Sequence, residues 1–134
     1  MAIIQQPIVT AEAQNLTAAH YQTIIRSNGH TLIADEPKEQ TGTDTGMNPY
    51  SLLLASLGSC TSITLRMYIE RKAWNVDEIL VSLDITKTDT GTHINRTIKF
   101  KGDITPDEHQ RLLAIANACP IHKILTGTIN ITTS

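Results

Sequence analysis

The chain has 134 residues, a length that suits one domain with one core, and it is read as a single domain over residues 1–134. Its 40% hydrophobic and 18% charged content is that of a globular protein, while 4% aromatics leave the core to Leu, Ile, Val and Ala. A formal net charge of −2 gives no electrostatic ground for nucleic acid or an anionic membrane surface as partner.

No run reaches the roughly 18 uninterrupted apolar residues of a membrane span, and MAIIQQPIVT lacks the basic start of a secretory leader. The expectation is a cytoplasmic protein without a membrane partner. In a reducing compartment two cysteines are a redox pair, a metal pair or inert core residues sooner than a permanent staple.

In chain order, residues 16–26 (LTAAHYQTIIR) read as a first strand, closed by the hairpin signal Asn28-Gly29 and answered by a strand at 30–34. DEPKEQTGTDTGMNP follows, with Gly, Pro and Thr at a density that breaks regular structure; loops of this length are functional or disordered. Pro49 then opens a long helix to about Lys72. Leu53, Leu54, Leu57, Cys60, Thr64 and Met67 recur at three- and four-residue steps, and Leu52 and Ile63 widen the apolar surface around most of its first half. A helix so widely apolar is central, and a short chain has little with which to cover it, which predicts a homodimer.

Strands at 79–86 and 93–101 alternate at period two around TDTG. Thr105-Pro106-Asp107-Glu108 is a compact helix start, and that helix runs to about residue 118. Pro120 begins a short helix that Gly127 ends, and TINITT reads as a closing strand. Strands clustered in hairpins, rather than alternating with helices, predict an α+β fold.

Cys119 directly precedes Pro120, the N-cap position, where free backbone N–H groups favour a thiolate. His122, three residues on, is in reach to donate to the sulfur; the plainer reading is a Cys that packs and a His that faces water. Cys60 lies in mid-helix, in apolar company that by itself raises a thiol pKa and makes the residue inert. A cation from elsewhere in the fold would be needed to activate it.

The segment TGTDTGMNPYSLLLASLGSCTSITLRMYIERKAW, followed downstream by ANACPIHKIL, resembles the OsmC/Ohr family over about residues 23–131. The Asn48-Pro49 lead-in, the Cys60 helix and the distal Cys119-Pro120 pair carry the likeness together. The resemblance implies antiparallel sheets wrapped around a long central helix, an intertwined homodimer, and active sites at the subunit interface. It also implies thiol-dependent reduction of organic hydroperoxides, with no cofactor and no metal. Cys60 matches the peroxidatic cysteine, which becomes a sulfenic acid, and Cys119 the resolving one, which closes a disulfide that an external dithiol reopens.

The family's thiolate-stabilising Arg comes from the N-terminal sheet, which points to Arg26, with Arg66 as the alternative. Tyr50 stands where the family carries the Glu that orients this Arg; Glu36 and Glu39 are the available substitutes. Met47 and Tyr50, flanking the lead-in, are assigned to the substrate pocket. A metal site built on Cys119-x-x-His122 would need further ligands that no second motif supplies. The rival function is a binding or stress protein that keeps the fold with little peroxidase activity, because the Glu is missing.

Overall fold

The computed structural model describes residues 6–134; residues 1–5, part of the segment read above for a leader, lie outside the described residues. The chain forms two compact units, Met1–Leu52 and Leu53–Ser134.

The first unit is a three-stranded antiparallel sheet, β1 (Glu12–Asn15), β2 (Thr23–Ser27) and β3 (His30–Ala34), in the order β1-β2-β3. The long first strand expected over residues 16–26 is therefore two features. A short 3-10 turn at Thr17–Ala19 separates β1 from β2, and His20 beyond it has a positive φ of 57°. Asn28 (φ 51°) and Gly29 (φ 79°) make the expected β2–β3 hairpin, the conformation that the Asn-Gly pair favours.

The loop after β3 is folded around one carboxylate. Asp35 is buried and accepts from the Thr43 and Thr45 hydroxyls and from the backbone N–H groups of Glu36 and Thr45. Those bonds, the Thr43 hydroxyl first, hold its carboxyl well below the ordinary carboxylate range. Gly42 and Gly46 lie against the carbonyls of Glu36 and Ile33, leaving no room for a Cβ. The glycines and threonines that mark this stretch as irregular in sequence are the parts that order it.

The second unit contains most of α1 (Pro49–Lys72), a long hairpin of β4 (Asn75–Thr88) and β5 (Gly91–Asp103), then α2 (Pro106–Ala116) and α3 (Pro120–Thr126). The helix spans the residues expected for it, but its buried seam is Leu57, Thr61, Leu65, Tyr68 and Ile69, not the row through Cys60 and Met67. The seam follows the hairpin: Gly58 approaches β4 closely enough that a Cβ there would meet Leu83 Cδ1 at 2.9 Å. Leu65, Tyr68, Ile69, Val76, Ile98, Leu112 and Ala116 form the core.

On the other sides of α1, Leu53, Ile63 and Met67 are exposed at 38%, 55% and 59%. By length and composition this helix is apolar enough to cross a membrane, with a mean hydropathy of 1.3 over its best window. Its Ser and Thr residues interrupt the apolar run without lowering that mean much, which is why an uninterrupted-run criterion passes over it.

β4 and β5 are longer than expected, and a register shift between Val76 and Glu78 lets Val76 point into the core while Ile79, Val81, Leu83 and Ile85 keep the inward phase further along. The α2 capping box is complete: the Thr105 hydroxyl accepts from the Glu108 N–H, and the Glu108 carboxylate accepts from the Thr105 N–H. The closing strand expected for TINITT does not form. Residues 128–134 have no ladder partner among the described residues, and Ile129 and Ile131 are 53% and 85% exposed.

Candidate active site

Cys119 is the N-cap of α3, as its position before Pro120 predicts, and its sulfur accepts from the His122 backbone N–H at 3.5 Å. It is fully buried, whereas Cys60, on the neighbouring turn of α1, is half-buried, and both thiols are free. The two thiols adjoin, each within reach to shift the ionisation of the other. Residues 59 positions apart in sequence thus form one dithiol pair inside the Leu53–Ser134 unit.

Their surroundings differ. Burial pushes the Cys60 thiol up, and the adjoining Cys119 pushes it further. Burial also opposes ionisation of Cys119, but the Cys60 thiol, the backbone N–H groups of His122 and Ile121 and the Thr61 hydroxyl outweigh it and hold that thiol below its ordinary value. In the reduced pair Cys119 is the favoured anion and Cys60 the thiol beside it.

A residue outside the sequence-based candidates organises the neighbourhood. Arg96 of β5 donates through Nη1 to Thr61 Oγ1 (3.0 Å), and through Nη2 to Asn117 Oδ1 (2.9 Å) and His122 Nδ1 (3.2 Å). A guanidinium has no acceptor, so Nδ1 of His122 must carry a lone pair and the ring proton sits on Nε2. Burial first, and the positive charge of Arg96 second, hold the His122 pKa below its ordinary 6.5, so the ring is neutral at pH 7.

Arg96 had a legible signal. Ile94, Arg96, Ile98 and Phe100 share the inward register of β5, and a charge on an apolar strand face must find partners. A cavity of about 420 Å³ opens beside this cluster, with Leu57, Ile94 and Leu125 as its apolar wall and Arg96, His93 and His122 at its polar side.

The other expected site residues lie elsewhere or in the other unit. Arg66 donates to the Val76 carbonyl at 2.8 Å and so braces the start of β4. In the Met1–Leu52 unit, exposed Arg26 on β2 donates to Gln14 Oε1 at 3.2 Å. Tyr50 is 68% exposed and shares a recess with Glu36, Gln40 and Asn48, which makes Glu36, of the two suggested substitutes for the family acid, the one beside it. Met47 is 58% exposed, and its carbonyl accepts from the Asp35 N–H at 3.1 Å. The Nδ1 of His122 accepts from the Arg96 guanidinium, and no group of three His, Cys, Asp or Glu side chains placed to hold a metal ion occurs among the described residues.

A long helix laid on an antiparallel hairpin, with a thiol on the helix meeting a second at the Cys-Pro start of a later helix, defines an α+β dithiol protein. The chain belongs to the OsmC family: the family model described as OsmC-like protein matches residues 42–134. No curated protein sequence matches the chain significantly.

Among solved structures it is similar to an OsmC-like protein from Mycoplasma pneumoniae, at 18% identity and a TM-score of 0.77, covering 92% of this chain and 90% of that one. It is similar also to an organic hydroperoxide resistance protein OsmC from Legionella pneumophila, at 17% identity, TM-score 0.67, and 92% and 93% coverage. The organic hydroperoxide resistance protein OhrB of Bacillus subtilis matches at 21% identity, TM-score 0.61, with 89% and 90% covered. At these identities the likeness is one of fold.

Proposed function

We propose that the chain is a cysteine-based organic hydroperoxide reductase. The observation that carries this reading is the juxtaposition of Cys60 and Cys119, two free thiols from distant parts of the chain. Cys60, the more accessible of the two, attacks the peroxide as a thiolate: its sulfur bonds to one oxygen, the O–O bond breaks, and the alkoxide leaves and takes a proton to become the alcohol. The Cys119 thiolate then attacks the sulfenic sulfur, hydroxide leaves, and with a proton it becomes water. A dithiol reductant reopens the disulfide by exchange and is itself oxidised to a disulfide.

The charge order in the pair fits this division. The raised Cys60 thiol has Cys119 beside it to take its proton, the departing alkoxide then takes that proton to become the alcohol, and Cys119, held below its ordinary value, is left as the thiolate that resolves. Family resemblance assigns the cation that stabilises Cys60 to Arg26, with Met47 and Tyr50 toward the substrate. The apolar wall of Leu57, Ile94 and Leu125 suits an alkyl substituent better than hydrogen peroxide. The exposed Leu53, Ile63 and Met67 face of α1 supports a homodimer in which a second copy covers it.

The test is a thiol count before and after one equivalent of cumene hydroperoxide. The reductase loses two thiols per chain within the time course and recovers them with dithiothreitol. A chain that retains both thiols is instead the binding protein of the same fold, for which the absence of the family Glu at Tyr50 already argues.

A further inference from the structure

We propose that Arg96 is a positioning residue for the dithiol pair, the bracket that holds the Cys60 and Cys119 elements at bonding distance. This rests on the pairing of the two cysteines in the proposed reaction, but it follows from different atoms. Its Nη1 holds Thr61, the residue after Cys60 on α1. Its Nη2 holds Asn117 and His122, which flank Cys119 on either side. Every one of these bonds spans at least 21 residues, and together they tie three separate elements to one rigid strand.

The arrangement needs a guanidinium. A planar fork with five donors can address acceptors on different elements at once, whereas an ammonium is a point charge that meets them one at a time. Thr61 also donates to Leu57 of its own helix and adjoins the Cys119 thiol, so the guanidinium holds the hydroxyl that lies between the two cysteine elements. His122 matters twice: its ring is held by Arg96, and its backbone N–H donates to the Cys119 sulfur, so the guanidinium orients the group that orients the thiolate.

A disulfide's stability against an external dithiol measures how well the protein presents one sulfur to the other. Without the bracket, each cysteine element samples positions out of reach of its partner. The expected effect of Arg96→Gln is about a tenfold fall in the equilibrium constant for forming the Cys60–Cys119 disulfide, equivalent to about 30 mV for a two-electron couple, toward a more readily reduced disulfide. Arg96→Lys keeps the charge without the fork and should fall nearly as far. Asn117→Ala removes one leg and should give a smaller shift in the same direction.

The experiment equilibrates the full chain with oxidised and reduced dithiothreitol and quantifies the two thiols by alkylation and mass spectrometry, with circular dichroism to show that each variant is folded. After cumene hydroperoxide, Arg96→Gln should also accumulate Cys60 sulfinic acid where the wild type forms the disulfide. If folded Arg96→Gln has the wild-type equilibrium constant, the bracket is refuted; if that variant does not fold, an unchanged constant in Asn117→Ala refutes it. A wild-type chain that forms no disulfide with either hydroperoxide or diamide overturns the pairing itself, a separate outcome. Full rescue by Arg96→Lys would show that charge, and not the fork, acts here, and would also overturn the proposal.

Discussion

Replacing Thr61 with Val changes a hydroxyl to a methyl at constant shape in a fully buried position, so the loss is one of hydrogen bonds and not of volume. Two bonds go. The donation to the Leu57 carbonyl (2.7 Å) is a helix back-bond to an acceptor that the helix ladder also uses, and contributes little. The bond accepted from Arg96 Nη1 (3.0 Å) involves a charged donor, for which about 1.5–3 kcal/mol is typical. The buried methyl returns up to about 0.8 kcal/mol, which leaves a net loss of about 1–2 kcal/mol.

With a urea dependence of about 1–3 kcal/mol per molar, the unfolding midpoint should fall by about 0.3–2 M with an unchanged slope. The same substitution removes a polar neighbour that helps to hold the Cys119 thiol below its ordinary value, so the thiolate absorbance should develop at higher pH than in the wild type. Wild-type stability in Thr61→Val, measured by urea unfolding under reducing conditions, would refute the claim that Arg96 depends on this hydroxyl.

Cys60→Ser should abolish hydroperoxide turnover, while Cys119→Ser should allow one round and leave Cys60 to overoxidise; mass spectrometry that finds the first oxygen on Cys119 would reverse the roles. The His122 ring, held below 6.5, contributes stability that is complete above pH 6.5 and is lost as pH falls through its lower folded pKa, so an NMR titration of the imidazole should give a midpoint below 6.5 that rises in Arg96→Gln. Asp35, whose folded pKa is depressed below 3.8, stabilises its loop above that pH and loses its effect on further acidification; in Asp35→Asn the amide exchange protection of Glu36 and Thr45 should disappear already at neutral pH. Leu65→Ala, at a fully buried core position, should cost about 2–5 kcal/mol in the same urea assay.

Local rules read directly from the residues determined much of this protein. Pro49 opens α1, Thr105-Pro106 with Glu108 opens α2, Asn28-Gly29 turns the first hairpin, and Cys119-Pro120 makes a sulfur the cap of α3, because each depends only on neighbours within about one turn of chain. The period-two alternation in β4 and β5 held for the same reason. What failed was non-local. TINITT has strand propensity but pairs with no sheet edge among the described residues, and propensity without a ladder makes no strand.

The buried seam of α1 is chosen by the hairpin it lies on. Periodicity in a helix apolar on most sides cannot select between Cys60–Met67 and Thr61–Leu65 rows. The Cys60–Cys119 contact and the three bonds of Arg96 lie further still from local legibility, since each joins elements at least 21 residues apart. The sequence placed a charge on the apolar face of β5; only the packing of α1, α2 and α3 against that face decided which acceptors would satisfy it, because a buried guanidinium takes whatever partners the tertiary structure brings within reach.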